Sequence, residues 1–260
     1  MKLATYNANS VRARLPLLCD WLRRERPDLL LVQETKVRDE AFPVRDFEDQ
    51  GYQVVSRGQK AYNGVALISR RPCRRILRDL FSEGDTEARF LSASFDDIPV
   101  INVYVPQGFQ VGSEKFQDKL KFLETLLAHV TDRYRPEKPL IVAGDLNVAL
   151  EPVDVFDPEG LEGEVGFHPE ERAVLRRFMD WGLHDVFRKH HPEGGHFTFW
   201  DYRVPNAVKR RMGWRVDYIL ATEPLSRRCS NAWIDVAARM LPKPSDHTFL
   251  VAEFDLGDSG

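Results

Sequence analysis

Short apolar segments of strand length, arriving in closely spaced pairs, constrain this chain most. "YQVVSRG" (52–58) and "GVALISR" (64–70) are joined by a loop through Asn63-Gly64, which predicts an antiparallel pair. "ARFLSASFD" (88–96) and "VINVYV" (100–105) form another, with a turn expected near Pro99. Residues 2–9, "DLLLVQE" (28–34) and "PLIVAGDLNV" (139–148) also read as strands. Four late runs join them: "FTFWDYR" (197–203), "WRVDYILA" (214–221), "NAWIDV" (231–236) and "HTFLVAEFDL" (247–256). Helical spacing is confined to three stretches. These are 15–27, stopping at Pro27; 113–134, with Ser113 as N-cap; and 169–192, broken at Gly182. Strands outnumber helices, and many are apolar on one face. The expected fold is therefore α/β: a four-layer sandwich of two mainly antiparallel β-sheets packed face to face, with helices outside. The whole chain, 1–260, is expected to be one domain. A doubly wound parallel sheet loses, because strands joined by such short connections pair antiparallel.

With 260 residues, 43% of them hydrophobic, the chain has ample material for a core. No apolar run approaches a membrane span, and the first residues, "MKLATYNANS", lack the apolar centre of a secretory signal. Cys19, Cys73 and Cys229 are odd in number and form no CxxC, which argues against a disulfide framework and a zinc site. A reducing cytoplasm is the simplest compartment. The formal net charge of −3 excludes a bulk polycation, so any nucleic-acid contact must use local basic runs at 22–27, 70–78 or 209–215. Neither GxGxxG nor a phosphate-binding P-loop is present, and nucleotide cofactors have no support.

Polar residues gather at strand ends. Asp145 and Asn147 flank Leu146 at the end of "LIVAGDLNV", and a strand's period of two puts them on one face. Asn7 and Asn9 repeat the arrangement. Glu34 ends one strand, Tyr104 lies near the end of another, and Asp246 and His247 stand at the entrance to the last. Asp217 sits inside "GWRVDYIL", where a buried carboxylate needs a partner. Each has a plainer reading taken alone: Asp and Asn favour turns, and Tyr104 suits a core. If those strand ends lie on one rim of the sandwich, they form one pocket of carboxylate, amide and imidazole. Such oxygen-rich donors suit Mg2+ or Mn2+, and a hard cation beside an Asp–His pair suits phosphoester hydrolysis.

Eight stretches, in order, resemble the exonuclease III family of apurinic/apyrimidinic endonucleases. They are "YNANSVRAR" (6–14), "LVQETKV" (31–37), "GVALISR" (64–70), "NVYVPQG" (102–108), "GDLNV" (144–148), "FTFWDYR" (197–203), "GWRVDYIL" (213–220) and "KPSDHTFL" (243–250). The resemblance implies a Mg2+-dependent DNA repair nuclease, with Mn2+ able to substitute. It would cleave duplex DNA 5′ to abasic sites, act as a 3′→5′ exonuclease and clean blocked 3′ ends; separately, no long tail or exposed heptad suggests an obligate oligomer, so a monomer is expected. The resemblance also implies Glu34 as principal metal ligand, with Asn7 and Asp246 nearby. Asp217 would orient and charge His247, Asp145 would position or deprotonate water, Asn147 would hold the phosphate, and Tyr104 would place its phenol on it. Either Asp145 or His247 could be the general base. Phe199, Trp200 and Trp214 would build the pocket for the flipped abasic nucleotide, although core packing suits Trp200 equally. Arg12, Lys36, Tyr62, Asn63 and Gly64 would grip phosphates.

The chain departs from the family at Ser10, in loop 204–213, and at Gln107, Phe109 and Gln110, where members differ in their DNA-inserting residues. Those loops set the balance between incision and exonuclease activity. Two other expectations compete: a relative acting on another phosphoester, such as a nonspecific DNase or inositol-type phosphatase, and an inactive DNA-binding scaffold. The scaffold should have lost a key polar residue, and none of the eight named above is missing.

Overall fold

In a computed structural model, described over residues 1–81 and 87–257, twelve strands form two six-stranded sheets. The first holds β1 (Lys2–Asn7), β2 (Leu29–Gln33), β3 (Gln53–Arg57), β4 (Val65–Ser69), β11 (Cys229–Asp235) and β12 (Phe249–Phe254). The second holds β5 (Arg74–Leu77), β6 (Phe90–Phe95), β7 (Ile98–Tyr104), β8 (Ile141–Asp145), β9 (Leu183–Asp185) and β10 (Asp217–Thr222). Their orders are β11-β12-β1-β2-β4-β3 and β5-β6-β7-β8-β10-β9. Each sheet is antiparallel except at its centre, where β1 and β2, and β7 and β8, run parallel. The parallel pairs bring together the carboxyl ends of β1, β2, β7 and β8, which carry Asn7, Glu34, Tyr104 and Asp145.

The sheets bury Leu3, Leu31, Leu67, Val100, Ile141 and Ile219 between them. The long helices lie outside. The stripe Leu18, Trp21, Leu22 of α1 (Leu15–Glu25) packs on the first sheet, with Trp21 stacked on Phe249 at 3.9 Å. On the second sheet lie α3 (Glu114–Arg133) and α5 (Pro169–Trp181), through Leu123, Leu126, Leu175 and Phe178. Short helices α2 (Val44–Glu48), α4 (Pro158–Leu161), α6 (Val186–His190) and α7 (Glu223–Ser226) complete the chain. Ser113 caps α3 by accepting the Phe116 N–H at 3.2 Å. Among the described residues no helix is long and apolar enough to cross a membrane.

Three local expectations need correction. The β6–β7 turn is Asp96-Asp97, both left-handed (φ 49° and 62°), not Pro99. This matches the two-residue hairpin turn with positive φ at both positions, which short Asp side chains tolerate. Pro99 lies opposite Ser94, a non-hydrogen-bonded position next to the Phe95–Ile98 pair, and β8 joins β7 only from Val100. Its missing N–H therefore removes no ladder bond. Secondly, Gly182 (φ 123°) ends α5, but the three-residue β9 intervenes before α6. There the Asp185 carboxylate accepts the Phe187 and Arg188 N–H groups and starts the new helix. Thirdly, "FTFWDYR" is no strand. Phe199 makes isolated bridges to Trp214 and His247, and the Trp200 N–H donates to Asp246 O at 2.8 Å. The segment ties the approaches to β10 and β12 together at the rim.

Candidate active site

The rim is built by turns as much as by strands. β8 stops at Asp145, and Asn147 is left-handed (φ 51°). Asp145 Oδ1 accepts the Asn147 N–H at 2.9 Å, so the two meet through a side-chain-stabilised turn rather than strand alternation. Asn7 Oδ1 accepts the Asn9 N–H at 3.0 Å in the same way, with Asn9 at φ 45°. Gly144 enables the approach: it is at φ 139°, and a Cβ there would lie 2.0 Å from Val103 O on β7.

Asp145 is the hub. Register places it opposite Asp217 on β10. Its Oδ2 accepts Asn7 Nδ2 at 2.9 Å and Asn147 Nδ2 at 3.2 Å, and lies 3.7 Å from His247 Nε2. His247 Nδ1 is 2.8 Å from Asp217 Oδ2, so the imidazole stands between two buried carboxylates. Burial opposes its charging, but Asp217 and then Asp145 outweigh burial and push the His247 pKa up to about 10. Asp145 goes the other way for a carboxylate: burial, together with Asp217 and Glu34, outweighs His247 and Asn7 and raises it to about 7. At neutral pH the pair therefore holds a histidine cation beside a carboxyl poised to gain or lose a proton.

The second half of the rim centres on Glu34. Its Oε1 accepts Asn7 Nδ2 at 2.9 Å, and its Oε2 pairs with Lys36 Nζ at 2.8 Å. Burial works against the Glu34 charge, but the bonds from Lys36 and Asn7 prevail and hold its pKa below the usual carboxylate range. Lys36 also donates to Asn9 Oδ1, and Asn9 Nδ2 donates to Asp246 Oδ1 at 3.0 Å. Glu34, Lys36, Asn9 and Asp246 thus form one chain. Asn7 joins the two halves: its amide nitrogen donates to both carboxylates and its oxygen accepts the Asn9 N–H. The Tyr104 phenol faces the Glu34 and Asp145 charges. Burial and those charges raise its pKa well above its ordinary range, so it stays protonated and able to donate. Arg89 lies 4.6 Å from the Tyr104 ring.

Loop 62–64 is stitched to the Glu34 turn by Lys36 N–H to Asn63 O (2.8 Å) and Thr35 N–H to Gly64 O (3.1 Å). Asn63 is itself buried, with Nδ2 donating to Glu87 at 3.1 Å, so it braces the loop, while Tyr62 is 71% exposed. Arg12 is exposed and donates to Ala41 O at 3.0 Å. Gln107 is exposed beside Phe109, which is 68% exposed. Phe199 packs on His247 at 4.9 Å between ring centres, and half-buried Trp214 bridges to it. Trp200 is buried instead, in a cluster with Phe197 and Ala207, so core packing describes it better than a pocket wall.

The sequence marks Asn9 without giving it a role, and it does not single out Lys119. The Asn7-x-Asn9 repeat of the Asp145-x-Asn147 spacing is the signal that marks Asn9. Lys119 occupies the apolar stripe of α3 between Phe116 and Leu123. Fully buried, it pairs with buried Glu171 at 2.6 Å and donates to Asn147 O (2.7 Å) and Gln107 O (3.2 Å). A charged residue at a core-facing helical position was the available signal.

The model of the endonuclease/exonuclease/phosphatase family matches residues 4–247. Exodeoxyribonuclease III of Haemophilus influenzae is 35% identical over 267 residues, covering 98% of this chain and all of that protein. An AP endonuclease from Archaeoglobus fulgidus has a solved structure that superposes with a TM-score of 0.96 at 43% identity, over 98% of this chain and 100% of its own. The 3′ phosphatase NExo from Neisseria, solved with a product DNA hairpin, gives 0.94 at 34% identity, over 98% and 99%. The hub around Asp145 and these likenesses agree: the chain belongs to the endonuclease/exonuclease/phosphatase family, on its exonuclease III side, and is a hydrolytic nuclease.

Proposed function

We propose that the protein hydrolyses the phosphodiester 5′ to abasic sites in duplex DNA, with 3′→5′ exonuclease and 3′-end-cleaning activity, using Mg2+. The observation that carries this reading is the continuous network of Glu34, Asn7, Asp145, Asn147, Asp217 and His247 on one rim. The relatives named as AP endonuclease, exodeoxyribonuclease and 3′ phosphatase support the substrate class. Monomeric action in the cytoplasm, on the nucleoid if the source is prokaryotic, completes the proposal.

The donors fit a hard cation. Glu34, Asp246 and Asn9 offer oxygen atoms, and the Lys36 ammonium already rests against two of these residues. Glu34, Asn9 and Asp246 would hold Mg2+, or Mn2+ in its place, and the bound ion would neutralise a phosphate oxygen. Asp145 takes the proton from the attacking water. His247, kept charged by Asp217, stabilises the negative charge that develops. Asn147 and the protonated Tyr104 donate to the phosphate. Phe199 and Trp214 supply an apolar wall that accepts a nucleotide lacking its base. Arg12, Lys36, Tyr62 and Gln107 contact backbone, on a loop frame set by Asn63 and Gly64, so affinity should fall with salt.

The roles of Asp145 and His247 predict a two-limbed pH–rate profile. Activity rises with pH through about 7, as Asp145 gives up its proton, and falls through about 10, as His247 loses its charge. Single-turnover rates across that range test this; a rate flat from pH 5 to 9 contradicts it. Substrate class is tested by a panel of abasic duplex, intact duplex and inositol phosphate. Incision of the abasic duplex at a rate at least a hundredfold above the others is expected, and preference for inositol phosphate would reject the reading.

A further inference from the structure

His191, Glu193 and His196 lie on the loop that follows α6 and form a cluster distinct from Asp145, Asp217 and His247. Their donor atoms all fall within 4.8 Å of one another. His196 Nε2 is 2.9 Å and His191 Nδ1 is 3.5 Å from the same oxygen, Glu193 Oε1. Two imidazoles and a carboxylate are a common three-ligand zinc set, whose tetrahedral bonds of about 2.1 Å separate neighbouring donors by about 3.4 Å. The two separations straddle that value. Among the described residues the groups able to hold a metal contain no cysteine, and this His–Glu–His set is one of them.

A hydrogen-bond conflict points to a cation. His191 Nε2 is 2.8 Å from Ala232 O. A carbonyl only accepts, so Nε2 carries the proton, and neutral His191 turns the lone pair of Nδ1 toward a carboxylate oxygen. Two acceptors facing each other need a proton or a metal between them. An imidazole anchored by a backbone carbonyl on its far nitrogen is also how metal-ligating histidines are oriented. Phe187 stacks on the His191 ring at 4.7 Å and fixes its plane. Side-chain exposures of 31%, 59% and 35% leave room for water to complete the coordination.

We propose that His191, Glu193 and His196 form a second metal site, of the zinc class, separate from the nuclease centre. Bound metal would clamp the Glu193–His196 loop that leads directly into Phe197 and Phe199. The test uses the full-length protein with excess Mg2+ filling the nuclease centre. Co2+ is titrated and followed by its visible d–d absorption, and Zn2+ affinity is measured against a chromophoric chelator. Wild type should show tetrahedral Co2+ absorption, one tight Zn2+ and a Zn2+-dependent rise in Tm. Loss of a supporting partner alone weakens metal sites 10–100-fold, so His196→Asn and Glu193→Gln, checked for folding by circular dichroism, should each weaken Zn2+ by more than tenfold. Glu34→Gln should leave this Zn2+ affinity unchanged. Equal Zn2+ affinity in wild type and His196→Asn would overturn the proposal, as would loss of the Co2+ absorption in Glu34→Gln.

Discussion

Replacing His247 by asparagine should lower the single-turnover incision rate by about 10²–10⁴-fold, the range measured for lost acid–base or charge-stabilising groups. The reason is electrostatic. His247 is the cation between Asp217 and Asp145, at 2.8 and 3.7 Å. Its charge also restrains the Asp145 pKa, which burial has already raised to about 7. Removing the cation should therefore move the rising limb of the pH profile above 7 and abolish the limb near 10. A merely structural histidine would lower the rate without moving either limb. Circular dichroism separates this outcome from unfolding. A purified variant with near-normal rate and an unshifted profile would refute the assignment.

The second large effect concerns stability. Lys119→Met leaves Glu171 buried without its partner, and breaking one side of a buried pair costs about 3–5 kcal/mol. For a chain of this size that is a fall in Tm of roughly 10 °C. Glu171 Oε2 would still accept the Gly166 N–H at 2.7 Å, but Asn147 O and Gln107 O would lose their donor. The incision rate should fall too, because Asn147 loses the brace on its carbonyl. The double variant Lys119→Met/Glu171→Gln should recover most of the stability, since no uncompensated charge remains. A single variant melting within 2 °C of wild type would show that the pair does not brace these loops.

The sequence revealed a good deal of the fold because strand-length apolar runs and their short connections leave few alternatives. Ser113, Gly182 and the Asn63-Gly64 loop all marked boundaries by local chemistry. Pro99 misled because proline usually signals a turn; here register leaves its missing N–H unneeded. "FTFWDYR" misled because its aromatic residues suit strands, whereas its role is to link two loops at the rim. The site was visible for a related reason: each polar residue at a strand end has a plainer use alone, but their recurrence at strand end after strand end does not. Strand alternation brought Asp145 and Asn147 together correctly but for the wrong cause, since a turn does the work. Pairings across 72 residues or more depend on long-range assembly: Asp145 with Asp217 on register within the second sheet, and Asn7 with Asp145 on the two sheets coming together. No local pattern encodes them. Lys119 shows the same limit, because its partners come from helix α5 and two separate loops.

Metal-dependent hydrolysis 5′ to an abasic site is the reaction proposed for the rim around Asp145. The most direct measurement is incision of a synthetic duplex carrying one abasic site, with the new ends mapped by mass. The expected result is cleavage on the 5′ side leaving a 3′-hydroxyl, lost with EDTA, restored by Mg2+ or Mn2+, and reduced at least a thousandfold in Asp145→Asn. Cleavage on the 3′ side, EDTA-resistant incision, or undiminished activity in Asp145→Asn would contradict it.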